Sequence, residues 1–312
     1  MRSITDAVFH DEEMARAFLV KQRWPVGVVC PYCNSGERVT SLEAPSMGPG
    51  WYHCNACAQA KFTVRTRSIM ERSHVPLAKW AMAFRMFAAS KKGVSSKQMQ
   101  RMLGVSYRTA WFIGHRIREA MRTDADAGPI GGEGKVVESD ETFVGGKKKN
   151  VHRGKPEPKK HAVHALVERG GEVRGKHVPN VTAKTLRTTI AKHVDPKSTM
   201  NTDDALAYYH MSREFVAHRA VNHSKGEYVS KDGEAHIQTA EAFFAILKRG
   251  IMGSFHSVSE QHLQRYVDEF AFRWNTRSKL GVEDAERAEL IVKAAIGKRL
   301  TYRPSHEPEA QR

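Results

Sequence analysis

The sequence predicts an α/β protein: a mixed-sheet domain preceded by a zinc ribbon and a helix-turn-helix module. Three observations carry this expectation. All four cysteines fall in two CxxC pairs within residues 30–57, helical periodicity governs residues 74–123, and strand and helix signals alternate across residues 131–280. A chain of 312 residues has room for roughly two or three compact domains with a sizeable core. The expected organisation is an N-terminal helical segment (1–27), the ribbon (28–66), the helical module (74–123), the mixed-sheet domain (131–280) and a C-terminal helix with a mobile tail (281–312).

The ribbon is read from Cys30-Pro31-Tyr32-Cys33 and Cys54-Asn55-Ala56-Cys57, separated by twenty residues. Each pair fits a tight turn that aims two thiolates at one ion, and two such turns close a tetrahedral site of four sulfurs. A closed site leaves no position for water, so a structural Zn²⁺ is expected there. The segment is too short for a core of its own, which makes metal binding its main source of folding energy. Two disulfides or a redox-active CxxC are the alternatives. A reducing compartment argues against the first, and the presence of two motifs against the second.

From Pro76 onward, Leu77, Trp80, Ala81, Phe84 and Phe87 mark one apolar helical face. Ser95 and Ser96 are candidate caps for a short helix through Met99, Met102 and Leu103. Gly104-Val105-Ser106 then breaks the chain, and Ala110, Ile113, Ile117, Ala120 and Met121 line the inner face of the next helix. A supporting helix followed by helix, glycine turn and helix is the layout of a helix-turn-helix. On the last helix Arg108, His115 and Arg116 lie within about a right angle of one another and are placed to meet phosphates or base edges. A plain helical hairpin with a solvated basic face is the competing reading.

Residues 123–134 are polar and glycine-rich and read as a linker. Strands are expected over 135–144, 161–168, 172–178 and 198–202, with Gly170-Gly171 as a hairpin turn. Helices are expected over 182–194, 239–249, 257–277 and 283–295, the third opened by Ser257 and Glu260 at capping-box spacing. Three acids stand out in this half. Asp140 sits in an otherwise apolar strand, Asp203 ends a later one, and Glu241 opens a helix that continues Ala242, Phe243, Phe244. A carboxylate among apolar neighbours is costly without a compensating partner. Lys248, seven residues past Glu241, returns to nearly the same helical angle. Carboxylates that hold Mg²⁺, with a lysine to grip phosphate, are what phosphoryl transfer on DNA requires. Taken singly, each acid also fits a strand end or a helix cap.

The charge balance points the same way. Fifty Lys and Arg stand against 34 Asp and Glu, a formal net charge of +16, and this favours a polyanionic partner. With 40% apolar and 27% charged residues the chain is neither a disordered tail nor a fibre. Its apolar runs, such as 242–247, fall far short of the ~20 residues of a spanning helix. No apolar stretch follows Arg2, so no secretory signal is read. The expected class is a cytosolic nucleic-acid-binding protein. Residues 147–160 carry seven Lys or Arg and one acid, Glu157, and Lys147, Lys148 and Lys149 are candidate DNA contacts.

These motifs together resemble a known family. Asp140-Glu141-Thr142-Phe143-Val144-Gly145-Gly146, then Thr202-Asp203 with Tyr208-Tyr209, then Glu241 with Lys248-Arg249-Gly250, resemble the core of DDE transposases, most closely the ISXO-like group of bacterial insertion sequences. Arg23-Trp24-Pro25, the first CxxC and Phe62-Thr63-Val64-Arg65-Thr66 resemble that group's zinc ribbon, and the stretches 253–259 and 266–275 its C-terminal part. Gln238 and Phe244 depart from its usual Asn and Trp.

The resemblance implies an RNase H-like fold with Asp140, Asp203 and Glu241 as ligands of Mg²⁺ or Mn²⁺, and Lys248, with Arg249 beside it, on the DNA. It implies 3′-end cleavage at terminal inverted repeats, strand transfer to target DNA, a homodimer or higher assembly on DNA, and residence at the bacterial nucleoid. Asp204 stays open as the second ligand should the strand end one residue later. A non-catalytic DNA-binding regulator, or an inactive transposase relic, is the alternative function.

Overall fold

The computed structural model describes residues 3–43, 45–57, 61–123, 127–146, 159–209, 213–222, 229–230 and 233–301. The chain divides into two compact units. The first comprises Met1–Ser90, Val94–Met121 and Val282–Arg312, and the second Lys91–Gly93 and Arg122–Gly281.

The first unit opens with α1 (Glu12–Arg23), whose amides on Glu13 and Met14 donate to the Asp11 carboxylate. A three-stranded antiparallel sheet follows, β1 (Val39–Leu42), β2 (Trp51–Cys54) and β3 (Lys61–Thr63). Its core is small: Phe62 is buried between Trp24 and Tyr52, with ring centroids 5.9 and 5.5 Å away. Three helices come next, α2 (Leu77–Ala89), α3 (Ser96–Leu103) and α4 (Tyr107–Met121).

Ser95 caps α3 by accepting from Gln98 N–H at 3.2 Å, and α3 ends at Gly104, whose φ of +58° suits a residue without Cβ. α2 starts without a capping side chain of its own, at Pro76. Glu12 supplies one from α1, its two carboxylate oxygens accepting from Leu77 N–H at 2.8 Å and Ala78 N–H at 3.0 Å. The C-terminal helix α8 (Asp284–Ala294) belongs to this unit. Its Arg287 is buried and donates to the Ala88 carbonyl at 2.9 Å. The tail expected to be mobile, from residue 302, lies outside the described residues.

The second unit is built on a mixed five-stranded sheet. In chain order it contains β4 (Ile130–Gly131), β5 (Val136–Gly145), β6 (Lys160–Glu168), β7 (Val173–Val178), α5 (Ala183–His193), β8 (Val194–Asp195), β9 (Thr199–Asp203), β10 (Ala217–Val221), α6 (Gln238–Gly250) and α7 (Glu260–Asn275). The main sheet runs β10-β9-β5-β6-β7, and β4 pairs with β8 apart from it. β9 is parallel to both β5 and β10, while β5, β6 and β7 are mutually antiparallel. Interior strand β6 reads Ala162-Val163-His164-Ala165-Leu166-Val167, all buried, because both faces of the sheet are covered. Val163, Ala165 and Val167 pack under α6 and α7, and Leu166 with Val137 under α5.

Edge strand β7 is closed by α7. Gln264 accepts from His177 N–H and donates to the Gly175 carbonyl, and Asn275 bonds both N–H and C=O of Val173, all at 2.7–3.2 Å. Four backbone groups of β7 are thereby paired rather than left as a template for another strand. α7 comes this close because Gly175 has no side chain; a Cβ there would meet Val267 at 2.5 Å.

Three features depart from the sequence reading. Part of the expected linker is structured: Ile130 is buried in the α5 core and pairs with Val194. β10 was not anticipated. α7 begins at Glu260 behind Ser259, not at Ser257, because residues 251–255 form a wide helical turn and His256 adopts φ +63°.

Besides the apolar packing of Val144, one fully buried side chain, Glu138, ties β5 to the start of α6. It accepts from Thr239 N–H (2.7 Å), Ala240 N–H (3.0 Å), Thr239 Oγ1–H (2.9 Å) and Arg169 Nε–H (2.7 Å). Replacing Glu138 with Ala strands these donors in a dry site, and we expect a loss of about 3–5 kcal/mol, the range for breaking a buried pair. Urea unfolding of the full chain measures it, and a loss below about 1 kcal/mol contradicts the assignment.

Candidate active site and metal centre

β5 alternates two sets of side chains. Glu138, Asp140, Thr142 and Val144 face the α6/α7 side, and Val137, Ser139 and Glu141 the α5 side. The last register pair between β5 and β9 is Glu138 with Asn201. Two residues further along both parallel strands, Asp140 comes level with Asp203. Asp203 is the final residue of β9, is half-buried, and accepts from Ala205 N–H at 3.1 Å. Asp204 is exposed one residue beyond the strand.

The third acid arrives from far along the chain. Glu138 caps the N-terminus of α6, and Glu241 lies in the first turn of that helix. Asp140 registers the convergence. Burial, and then the negative charges of Glu141, Asp203 and Glu241, push its carboxyl up to about 7, against the lowering effect of the Glu141 N–H bond. The structure thus brings Asp203 and Glu241 each within electrostatic reach of Asp140, although the three carboxylates do not gather within 4.8 Å of one another as the four cysteines do. Lys248 and Arg249 are exposed on α6, the lysine two turns or about 10 Å along the axis from Glu241. Arg249 also donates to the Ala245 carbonyl at 3.0 Å.

A fourth acid, Glu141, was missed by the sequence reading as part of this group. Burial raises it to about 7, with Asp203 adding to the effect and the Tyr208 hydroxyl opposing it. Tyr208 O–H donates to Glu141 Oε1, Ser139 Oγ–H donates to Tyr208 at 3.1 Å, and His164 Nε2 lies 2.8 Å from Ser139 Oγ. Burial holds His164 down to about 3, so the ring is neutral and its Nε2–H completes a run of donors ending on Glu141. The signal available in the sequence was Tyr208-Tyr209 just after Asp203.

The cysteines gather at the ribbon. Sγ atoms of Cys30 and Cys57 are 3.8 Å apart, those of Cys33 and Cys54 3.6 Å, and all four lie within 4.8 Å of one another. Tetrahedral ligands at about 2.3 Å from zinc stand about 3.8 Å apart, so the set fits a structural Zn²⁺. A disulfide needs about 2.05 Å, and the four thiols are free. Ala56 N–H donates to Cys54 Sγ at 3.4 Å and lowers that thiol to about 7, favouring the ligating thiolate.

The basic residues divide. Arg108 is exposed near the start of α4. Arg116, expected beside it, is buried: its guanidinium donates to the Glu71 carbonyl at 3.0 Å and lies 4.4 Å from the Phe112 ring centroid. His115 is buried as well, against Trp111. A helical wheel gives the angle between residues but not which face the neighbouring chain covers. Lys147, Lys148 and Lys149 lie outside the described residues.

Two outcomes follow from these sites. Chelating zinc at neutral pH should make residues 28–66 sensitive to protease while the second unit stays resistant; a ribbon that stays resistant without metal contradicts the reading. Asp140 binds its proton more tightly folded than unfolded. The stability it contributes is therefore complete below about pH 4 and lost as pH rises through about 7. In metal-free protein, wild type should lose more thermal stability between pH 4 and 7 than Asp140→Asn. Equal slopes contradict it.

Residues 131–275 match the ISXO2-like transposase domain, and residues 10–60 the transposase zinc-ribbon domain. Among solved structures, the Mos1 transposase paired-end complex with left transposon end is similar at 13% identity over 63% of this chain and 76% of that one, with a TM-score of 0.21. No curated protein matches the chain. Two matches that both describe transposase domains and together span most of the chain place the sequence in the family of ISXO2-like transposases.

Proposed function

We propose that this transposase is a metal-dependent DNA-cleaving and DNA-joining enzyme whose second unit is an RNase H-like catalytic domain. What supports the reading is that Asp203, from the neighbouring strand, and Glu241, from α6, both lie near enough to Asp140 to add to the burial that pushes its carboxyl up to about 7. A site that crowds carboxylates together at the end of a sheet is destabilised by its own charge and is relieved by a cation. The strand order β10-β9-β5-β6-β7, with one antiparallel hairpin set and two parallel strands, supports the fold assignment.

In this reading Asp140, Asp203 and Glu241 hold Mg²⁺ or Mn²⁺. The bound cation supplies Lewis acidity at the phosphoryl centre. Glu138 keeps α6, and hence Glu241, in place. Lys248 grips a DNA phosphate as a point charge, with Arg249 beside it. Glu141, held by Tyr208, adds negative charge next to Asp203. Arg108, on a helix-turn-helix formed by α3 and α4, meets the phosphate backbone or base edges of the terminal repeats, and Lys147, Lys148 and Lys149 take flanking DNA. The burial of Arg116 removes it from this set. The polyanion fits the net charge of +16, and pairing of two element ends calls for at least a homodimer on DNA. Such an enzyme works in the cytoplasm at the nucleoid.

The test is cleavage of a labelled duplex carrying the inverted repeats that flank the gene, with Mg²⁺. Wild type is expected to nick at the 3′ ends. Asp140→Asn is expected to bind equally but nick at least about 100-fold more slowly, since even outer-shell changes around a metal cost 10–100-fold. If both proteins nick equally, or both bind and neither nicks, the enzymatic reading fails.

A further inference from the structure

A second group of metal-ligating side chains lies elsewhere in the second unit. His161 stands at the start of β6, His177 on β7, and Glu260 at the first position of α7; their ligand atoms all lie within 4.8 Å of one another. Each is held by backbone already in place. His161 is in register with Val144, His177 with Val163, and the His177 N–H donates to Gln264 of α7 at 2.7 Å. Both histidines are on the α6/α7 face, since His161 alternates with Val163 and Ala165. By the same alternation, the neighbouring Lys160 and Lys176 project to the opposite face and leave the cluster without an adjacent cation on its own strands.

The spacing is informative. His161 Nδ1 is 3.6 Å from Glu260 Oε1. That is longer than the ~2.7–3.2 Å of a nitrogen-to-oxygen hydrogen bond. It is close to the ~3.4 Å that separates two tetrahedral ligands bonded at about 2.0–2.2 Å. The two imidazole rings meet edge to face with centroids 5.9 Å apart, so they are not stacked on each other. Glu260 is 59% exposed, which leaves its side chain free to close the remaining gap, while His161 is 17% exposed and already placed.

We propose that His161, His177 and Glu260 form a second metal site, separate from both the cysteine cluster and the Asp140 group. Two imidazoles and one carboxylate select a borderline divalent ion of the zinc class over Mg²⁺, which prefers an all-oxygen shell. Three protein ligands leave the fourth position to solvent. The ion clamps the first residues of β6 to β7 and to the N-terminus of α7, one turn before the Gln264 that already accepts from His177 N–H.

The test counts zinc. Full-length protein in the Asp140→Asn background, which disables the carboxylate group, is dialysed against micromolar Zn²⁺, gel-filtered and analysed for metal. About two ions per chain are expected, one of them in the four-cysteine site. His177→Gln and Glu260→Gln should each hold about one. Because Glu260 is exposed, its variant keeps the fold, which an unchanged circular dichroism spectrum verifies. One ion in the parent, or two in the Glu260→Gln variant, overturns the proposal and leaves His161 and Glu260 as a plain ion pair.

Discussion

The arrangement of the second unit depends on the buried carboxylate of Glu138. It lies two residues from Asp140 on the same face of β5, and its oxygens take the first free amides of α6, more than a hundred residues away in sequence. An unpaired carboxylate in that position would be prohibitively costly, so the site exists only while strand, helix and Arg169 are all assembled. Arg169 extends the network by donating to the carbonyls of Glu234 and His236, at 2.8 and 3.0 Å, and Asn201 of β9 reaches the same two carbonyls. β5, β9, the β6–β7 turn and the start of α6 thus share one set of hydrogen bonds. Glu138, whose charge is met by Arg169 and the amides of α6, fixes the helix that carries Glu241 beside the strand that carries Asp140.

The first unit uses the same device. Glu12 caps α2 across a separation of 65 residues, as Glu138 caps α6. Both helices begin without a capping side chain of their own. In each case an acid from another element satisfies the free amides and complements the positive end of the helix dipole. The ribbon, whose core is essentially Phe62 between two aromatic rings, relies instead on the chemistry of its four thiols.

What was legible in the sequence was what local spacing encodes. The two CxxC pairs announce their geometry, and the Cα path needs only two turns to deliver it. Asp140 stood out between the apolar ends of its strand, Val136-Val137 and Phe143-Val144, and α6 because its periodicity is clear. Glu138 did not stand out: one position from Val137 in an alternating strand, it reads as a solvent-facing acid. Its partners Thr239 and Ala240 are brought near only by the completed fold. Arg116 was misplaced for the same reason, since the Glu71 carbonyl that buries it is 45 residues away. β10, Ala217-His218-Arg219-Ala220-Val221, lacks an apolar rhythm because it lies at the sheet edge, and its pairing with β9 is parallel and non-local. The start of α7 followed the geometry at His256 rather than the capping-box spacing of Ser257 and Glu260.

If Glu138 sets the position of Glu241, then changing it must weaken the Asp140 site without touching a ligand. Calorimetric titration of Mn²⁺ into Glu138→Gln and wild type, both folded by circular dichroism, measures this directly. Gln keeps the volume and one acceptor but turns an N–H₂ toward the amides of α6. The account predicts Mn²⁺ affinity about 10–100-fold weaker in the variant, the usual cost of losing an outer-shell partner. Equal affinity in a folded Glu138→Gln protein would contradict it.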